Sequence, residues 1–249
     1  MSSTTPLVIT ASEIERLRQI KQAFPNQQSL PGPEHWQHLS ANAVWHCVLR
    51  QVIAVGGAAP ADKFMARVDL RRQMSYHRLC RLDGDAQVGR AISAVLREVG
   101  TRYARQDWRH CAKTTALRRN LGVLRTFDGG PTGFVRHIAR INGRDKDRRR
   151  IAFVADFLHF IKNKGARDLL TTSFGLLRSG IAFDTRVLGA LRTVGVQIPR
   201  GVPQSAVRYA EFEATLLRQV CRPLRISGAE LDQLLFVNYS AIKSMEFKS

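Results

Sequence analysis

The chain has 249 residues, 44% of them hydrophobic, which is enough for one sizeable domain or two interlocked lobes. Its 39 Lys+Arg against 20 Asp+Glu give a net charge of +19, an excess that favours a polyanionic partner because neutralised phosphates release counterions. The arginines lie on patterned segments, which excludes a low-complexity basic tail, and no apolar run reaches the length of a membrane span.

In chain order, the start MSSTTPLVIT lacks a basic region followed by a long apolar core, so no secretion signal is expected. Ser12 with Glu15 has capping-box spacing and predicts a helix from Glu13 to Ala23, ended by Pro25. Asn26 to Pro33 reads as a linker. Ser40 can cap a helix whose apolar residues are Val44, Trp45, Val48, Val52 and Ile53, broken at Gly56-Gly57. A helix is expected over Ala61 to Arg67. A clearer one spans Asp85 to Val99, where Val88, Ile92, Val95, Leu96 and Val99 form a stripe. Between them Arg71, Arg72, Arg78 and Arg81 interleave with Tyr76 and His77, a composition suited to phosphates and base faces but also that of an ordinary solvated surface. Ala116 to Phe127 is amphipathic and stops at Asp128-Gly129-Gly130-Pro131; a short helix, Gly133 to Ile141, leads to a turn-rich connector.

From Ile151 to Phe160 apolar residues again fall on one helical face. The pattern stops at Lys162-Asn163-Lys164-Gly165, where Asn163 and Gly165 are the residue types expected to take positive φ. A second helix is expected from Ala166, with Leu169, Leu170 and Phe174 on one side and Gly175 as its breaker. The pair makes a helical hairpin over about 151–175. Backbone N–H groups at its turn, beside Lys162, Lys164 and Arg167, suit a phosphate. The loop 179–186 carries Asp184, placed to cap a helix from Thr185 to Val194. A further helix spans Tyr209 to Val220. Ser227 with Glu230 makes another capping box, opening a terminal helix with Leu231, Leu234 and Leu235. No alternating strand pattern persists, so the fold class is all-α.

KGARDLL, SGIAFDTRVL, YAEFEATLLRQV and SGAELDQLLF together resemble the C-terminal half of the helix-hairpin-helix DNA glycosylases, the superfamily of endonuclease III and 8-oxoguanine glycosylase. The resemblance runs from Phe153 to Phe236 and more weakly back to Val44. The hairpin departs from the family, with Phe160-Ile161-Lys162-Asn163 in place of its usual Gly-hydrophobic-Gly core. The resemblance implies a two-lobed helical bundle, with residues 1–33 an N-terminal helix and linker and 34–249 the glycosylase-like domain. It also implies that the N-terminal helix shares a lobe with Gly228–Lys243.

In that family the second hairpin helix begins near a lysine and an essential aspartate caps a later helix. Lys164 and Asp184 occupy those places. The expected activity is that of a DNA glycosylase acting on a flipped-out modified base, with AP lyase activity through a lysine Schiff base. Breaking an N-glycosidic bond builds positive charge on the sugar, which the Asp184 carboxylate would stabilise. The Lys164 amine would attack the sugar once neutral, a form favoured by desolvation or by the neighbouring cations Lys162 and Arg167. DNA contacts are expected from Lys162, Asn163, Gly165, Arg167 and Arg186. A base pocket would draw on Trp36, Trp45, Asp232, Phe236 and Tyr239. The alternatives are a non-catalytic helix-hairpin-helix DNA-binding protein, which needs no carboxylate at Asp184, and a basic helical RNA- or ribosome-associated factor.

Cys47, Cys80, Cys111 and Cys221 follow no ligand spacing, and only Cys221 lies where many relatives carry an iron–sulfur loop. His77 with Cys80, or His110 with Cys111, is a zinc pairing on paper only. No cofactor and no metal are expected. The expected partner is double-stranded DNA containing a modified base, bound by a monomer in the cytoplasm, at the nucleoid.

Overall fold

A computed structural model describes residues 7–25 and 30–247. Every regular element among them is helical. Part of the expected linker, Asn26 to Ser29, lies outside the described residues. Backbone packing divides the chain into two compact units, one formed by residues 1–32 and 177–249, the other by 33–176. Besides a boundary near residue 33 there is thus a second one, inside the stretch that the sequence assigned to one domain. The N-terminal segment belongs with the C-terminal one.

Helix α1 (Ala11–Ala23) carries a capping box, but from Thr10 and Glu13 and not from Ser12 and Glu15. The Thr10 hydroxyl accepts from the Glu13 N–H and Glu13 Oε2 accepts from the Thr10 N–H at 2.6 Å, whereas Glu15 pairs with Arg18. Starting two residues earlier adds first-turn donors, which the Thr10 cap helps to satisfy. Three tethers then tie this end to the C-terminal segment: Arg16 donates to the Val194 carbonyl, Lys21 to that of Leu224, and Gln219 accepts from the Ile9 N–H. Leu17 and Ile20, fully buried, join the same core as Leu191, Leu216 and Leu234.

The 33–176 unit is built around α2 (Ala41–Ala54), capped by Ser40 and buried along most of its length. Around it lie α3 (Ala59–Ala66), α4 (Val68–Gln73), α5 (Tyr76–Cys80), α6 (Gly84–Glu98), α7 (Ala112–Arg125) and α8 (Pro131–Ala139). The short α4 and α5 fall where the sequence shows only interleaved basic and aromatic residues. The C-terminal carbonyls of α2 are met by Lys113, whose buried ammonium donates to Ile53 and Val55; burial pushes this amine down to about 8. Arg150, also buried, donates to the carbonyls of Ile138, Ala139 and Leu176. These cations satisfy backbone inside the fold and do not belong to a solvated charge surface.

Two glycines on helices respond oppositely to the same change. A Cβ at Gly133 would collide with the backbone carbonyl of Asp128, whereas one at Gly122 meets nothing within 4 Å. Gly133→Ala is therefore expected to destabilise by about 2 kcal/mol or more, because a backbone atom must move. Gly122→Ala should stabilise by roughly 0.5–1 kcal/mol through helix propensity. Urea unfolding midpoints of the two variants test the opposite signs.

Candidate active site

The hairpin consists of α9 (Lys146–Phe157) and α10 (Asn163–Asp168), which runs on into a π turn over Leu169–Ser173. Its tight turn is Leu158–Lys162, earlier than the residue types suggest. Phe160, not Asn163 or Gly165, takes the left-handed conformation with φ +69°. A phenylalanine is costly there and persists because its surroundings hold it. Leu158 and Ile161 on either side are buried, and the fully buried Asn120 of α7 mimics a peptide against His159, accepting from its N–H at 2.6 Å and donating to its carbonyl at 3.0 Å. Asn163 and Gly165 lie in the first turn of α10, where helical φ is required. Gly165 leaves room for Ile161, whose Cγ2 would be 3.2 Å from an added Cβ.

Lys162 is the N-cap of α10 and makes no side-chain cap, so the first-turn N–H groups of Asn163, Lys164 and Gly165 meet no capping side chain. Lys162 is exposed and Lys164 half-buried. Arg167 departs from the expectation: it is buried, and it donates to the Asn163 carbonyl at 3.1 Å, one helical turn back. It is a structural residue of the hairpin and not a surface phosphate contact. The charged group paired with Lys164 is likewise not a cation. Nζ lies 3.5 Å from Oδ2 of Asp168, the i+4 residue, with the Lys164 side chain 42% exposed and hence open to a reactant. Asp168 is itself fixed, since Gln51 donates to the same oxygen at 2.6 Å and the Thr172 hydroxyl donates to Oδ1 at 3.1 Å. The contact the geometry gives this lysine is a buttressed carboxylate.

In the other unit, Asp184 caps α11 (Thr185–Thr193) from an extended backbone. A single oxygen, Oδ1, accepts both the Arg186 and Val187 N–H groups, at 2.9 and 2.8 Å. Oδ2 takes no hydrogen bond from any described residue, so the carboxylate is oriented by one oxygen and presents the other. Arg186 is exposed, with its guanidinium carbon 4.9 Å over the ring of Phe236. Phe236 lies on α14 (Gly228–Val237), which follows α12 (Ala206–Leu216), a π turn and the single-turn α13 (Arg222–Leu224), and precedes the short α15 (Tyr239–Ile242).

The segment entering Asp184 is held by side chains that the sequence did not single out for this role. The N–H groups of Ile181, Ala182 and Phe183 are accepted in turn by Glu213 Oε1, Asp232 Oδ1 and the Tyr209 hydroxyl, at 2.8, 2.9 and 2.8 Å. Tyr209 also donates to the Ile181 carbonyl at 2.8 Å. The available signal was a polar residue on each apolar helix face: Tyr209 and Glu213 one turn apart on α12, Asp232 amid the leucines of α14.

The expected base-pocket residues do not collect in one unit. Trp36, half-buried in a 3-10 turn (His35–His38), and Trp45 stand in the 33–176 unit. Trp45 is fully buried core, its indole N–H given to the Met74 carbonyl at 2.8 Å. Asp232 is occupied with Ala182. Tyr239 packs against Gly189, where an added Cβ would be 2.6 Å from its ring. Phe236 lies beside a proposed DNA contact, Arg186. Among the described residues no three His, Cys, Asp or Glu side chains come together as a metal site, and no helix is long and apolar enough to cross a membrane.

The fold is that of an all-helical, two-unit protein with a helical hairpin and an aspartate-capped helix. No family model matches the chain, and no curated protein matches it in sequence. The fold is similar to the crystal structure of the Methanocaldococcus jannaschii 8-oxoguanine glycosylase/lyase in complex with a 15mer DNA containing 8-oxoguanine, with a TM-score of 0.63 at 13% identity over 92% of this chain and 97% of that one.

Proposed function

We propose that this chain is a DNA glycosylase that takes a modified base out of the duplex and cleaves its N-glycosidic bond, with AP lyase activity through Lys164. The observation that carries the reading is the Asp184 carboxylate, oriented through Oδ1 and open at Oδ2, on a fold similar to that of a glycosylase/lyase. As the bond to the base breaks, its electron pair leaves with the base and positive charge develops on the sugar; a preorganised carboxylate stabilises that charge. The Lys164 amine, once deprotonated, forms a bond to C1′ as the base departs. Opening of the sugar ring gives an imine, and loss of a C2′ proton then expels the 3′ phosphate. The buttressed Asp168 carboxylate orients the amine. Lys162, with the N–H groups of Asn163, Lys164 and Gly165 that no side chain caps, seats a backbone phosphate, and Arg186 contacts the strand.

Duplexes each carrying one modified base, beginning with 8-oxoguanine because the similar structure holds it, test the proposal when base release and strand scission are followed separately. Release from at least one lesion duplex is expected, together with duplex binding whose log Kd rises with log salt at about 0.9 per neutralised phosphate. Salt-sensitive binding without release from any lesion would favour the non-catalytic DNA-binding reading, and absence of duplex binding would remove both.

A further inference from the structure

We infer that Tyr209, Glu213 and Asp232 are positioning residues that hold Asp184 at its working geometry by pinning the three residues before it. The inference rests on the role of Asp184 proposed above. Residues 181–183 are buried and belong to no helix, so their N–H groups need partners from elsewhere. Each partner is a side chain, from two different helices, and the hydroxyl of Tyr209 ties both ends of the segment by accepting from Phe183 and donating to Ile181. Placing two carboxylates in a core is expensive unless they are well hydrogen-bonded, so a loop needing only satisfied backbone has cheaper solutions. The same helices grip the residues just upstream. The Ala229 N–H donates to the Arg178 carbonyl at 2.9 Å, and Gly228 lets the Ser179 carbonyl approach where a Cβ would collide. With residues 178–183 fixed on one side and the α11 N–H groups on the other, Asp184 has little freedom in where it presents Oδ2.

Misplacement of a reacting group by about 1 Å can cost on the order of a hundredfold in rate, so partial release of this segment should be visible in catalysis before it is visible in binding. Tyr209→Phe removes one hydroxyl and keeps the ring. Single-turnover base release from the full-length protein is expected to fall about tenfold or more while duplex Kd changes less than about twofold. Glu213→Gln, which keeps a carbonyl acceptor for Ile181, should stay within about threefold of the parent, whereas Glu213→Ala should match Tyr209→Phe. In an Asp184→Asn background, Tyr209→Phe should slow release no further, because there is no carboxylate left to position. Parental release by a folded Tyr209→Phe protein, or a full additional loss in the double variant, would overturn the inference. If the parent protein releases no base, the reading of Asp184 fails on its own account. Hydrogen exchange then decides the pinning: Tyr209→Phe should accelerate the amides of 181–183 and leave those of α14 protected, and unchanged exchange would overturn it.

Discussion

Asp184→Asn is expected to lower base release by about a hundredfold or more, roughly 3 kcal/mol of transition-state stabilisation, while the protein stays folded. The separation is possible because the two jobs of this side chain fall on different atoms. The cap is made entirely by Oδ1, which accepts from Arg186 and Val187, and asparagine is an equally good N-cap with an oxygen in the same place. The charge, and the free Oδ2 that would face a developing sugar cation, are what the substitution removes. Thermal denaturation should shift by a few degrees at most, and duplex affinity should be retained. Unchanged single-turnover release by a well-folded Asp184→Asn protein would sink the mechanism, because the charge on this N-cap carboxylate is what the mechanism uses.

The second large effect concerns Lys164. If its amine forms the imine, borohydride should trap a covalent adduct between the protein and lesion-containing DNA, and Lys164→Gln should abolish that adduct altogether. Lys162→Gln should still form it, with weaker duplex binding, because an N-cap residue with an exposed side chain contributes charge near a phosphate and not a bond to the sugar. Asp168 sharpens the test. Asp168→Asn keeps an acceptor for one of Gln51 and Thr172 and removes the charge 3.5 Å from Nζ, so adduct should still form at an altered rate. Base release without any trappable adduct would assign the attack to water and leave Lys164 as a phosphate contact.

How these residues came to be legible is uneven. Asp184 could be read from sequence because capping is local: a carboxylate just ahead of an amphipathic run, after a Ser-Gly stretch, has its partners two and three residues away. Ser40 and the Ser227–Glu230 box were legible for the same reason. The same locality misled at α1, where two overlapping boxes are possible, and the structure uses the earlier one, next to the Ile9 N–H that Gln219 accepts. The hairpin turn shows the other failure. Residue preferences place positive φ at Asn163 or Gly165, yet Asn120, 39 residues before His159, clamps the chain so that Phe160 takes it.

The sequence by itself determined the longer helices, because hydrophobic periodicity and caps act over a few residues, whereas the short α4 and α5 left no such pattern. It also determined the large positive charge and the presence of a lysine and a capped aspartate in a glycosylase-like order. Only the tertiary structure decided which charges face solvent. Lys113, Arg150 and Arg167 look like further basic surface in the sequence, but each donates to backbone carbonyls inside the fold. Glu213 looks like a solvated acid and Asp232 is expected in a base pocket, and both instead hold the segment before Asp184. The reason is physical: where a buried N–H or carbonyl finds its partner depends on which distant helix packs beside it, and no pattern along the chain carries that distance.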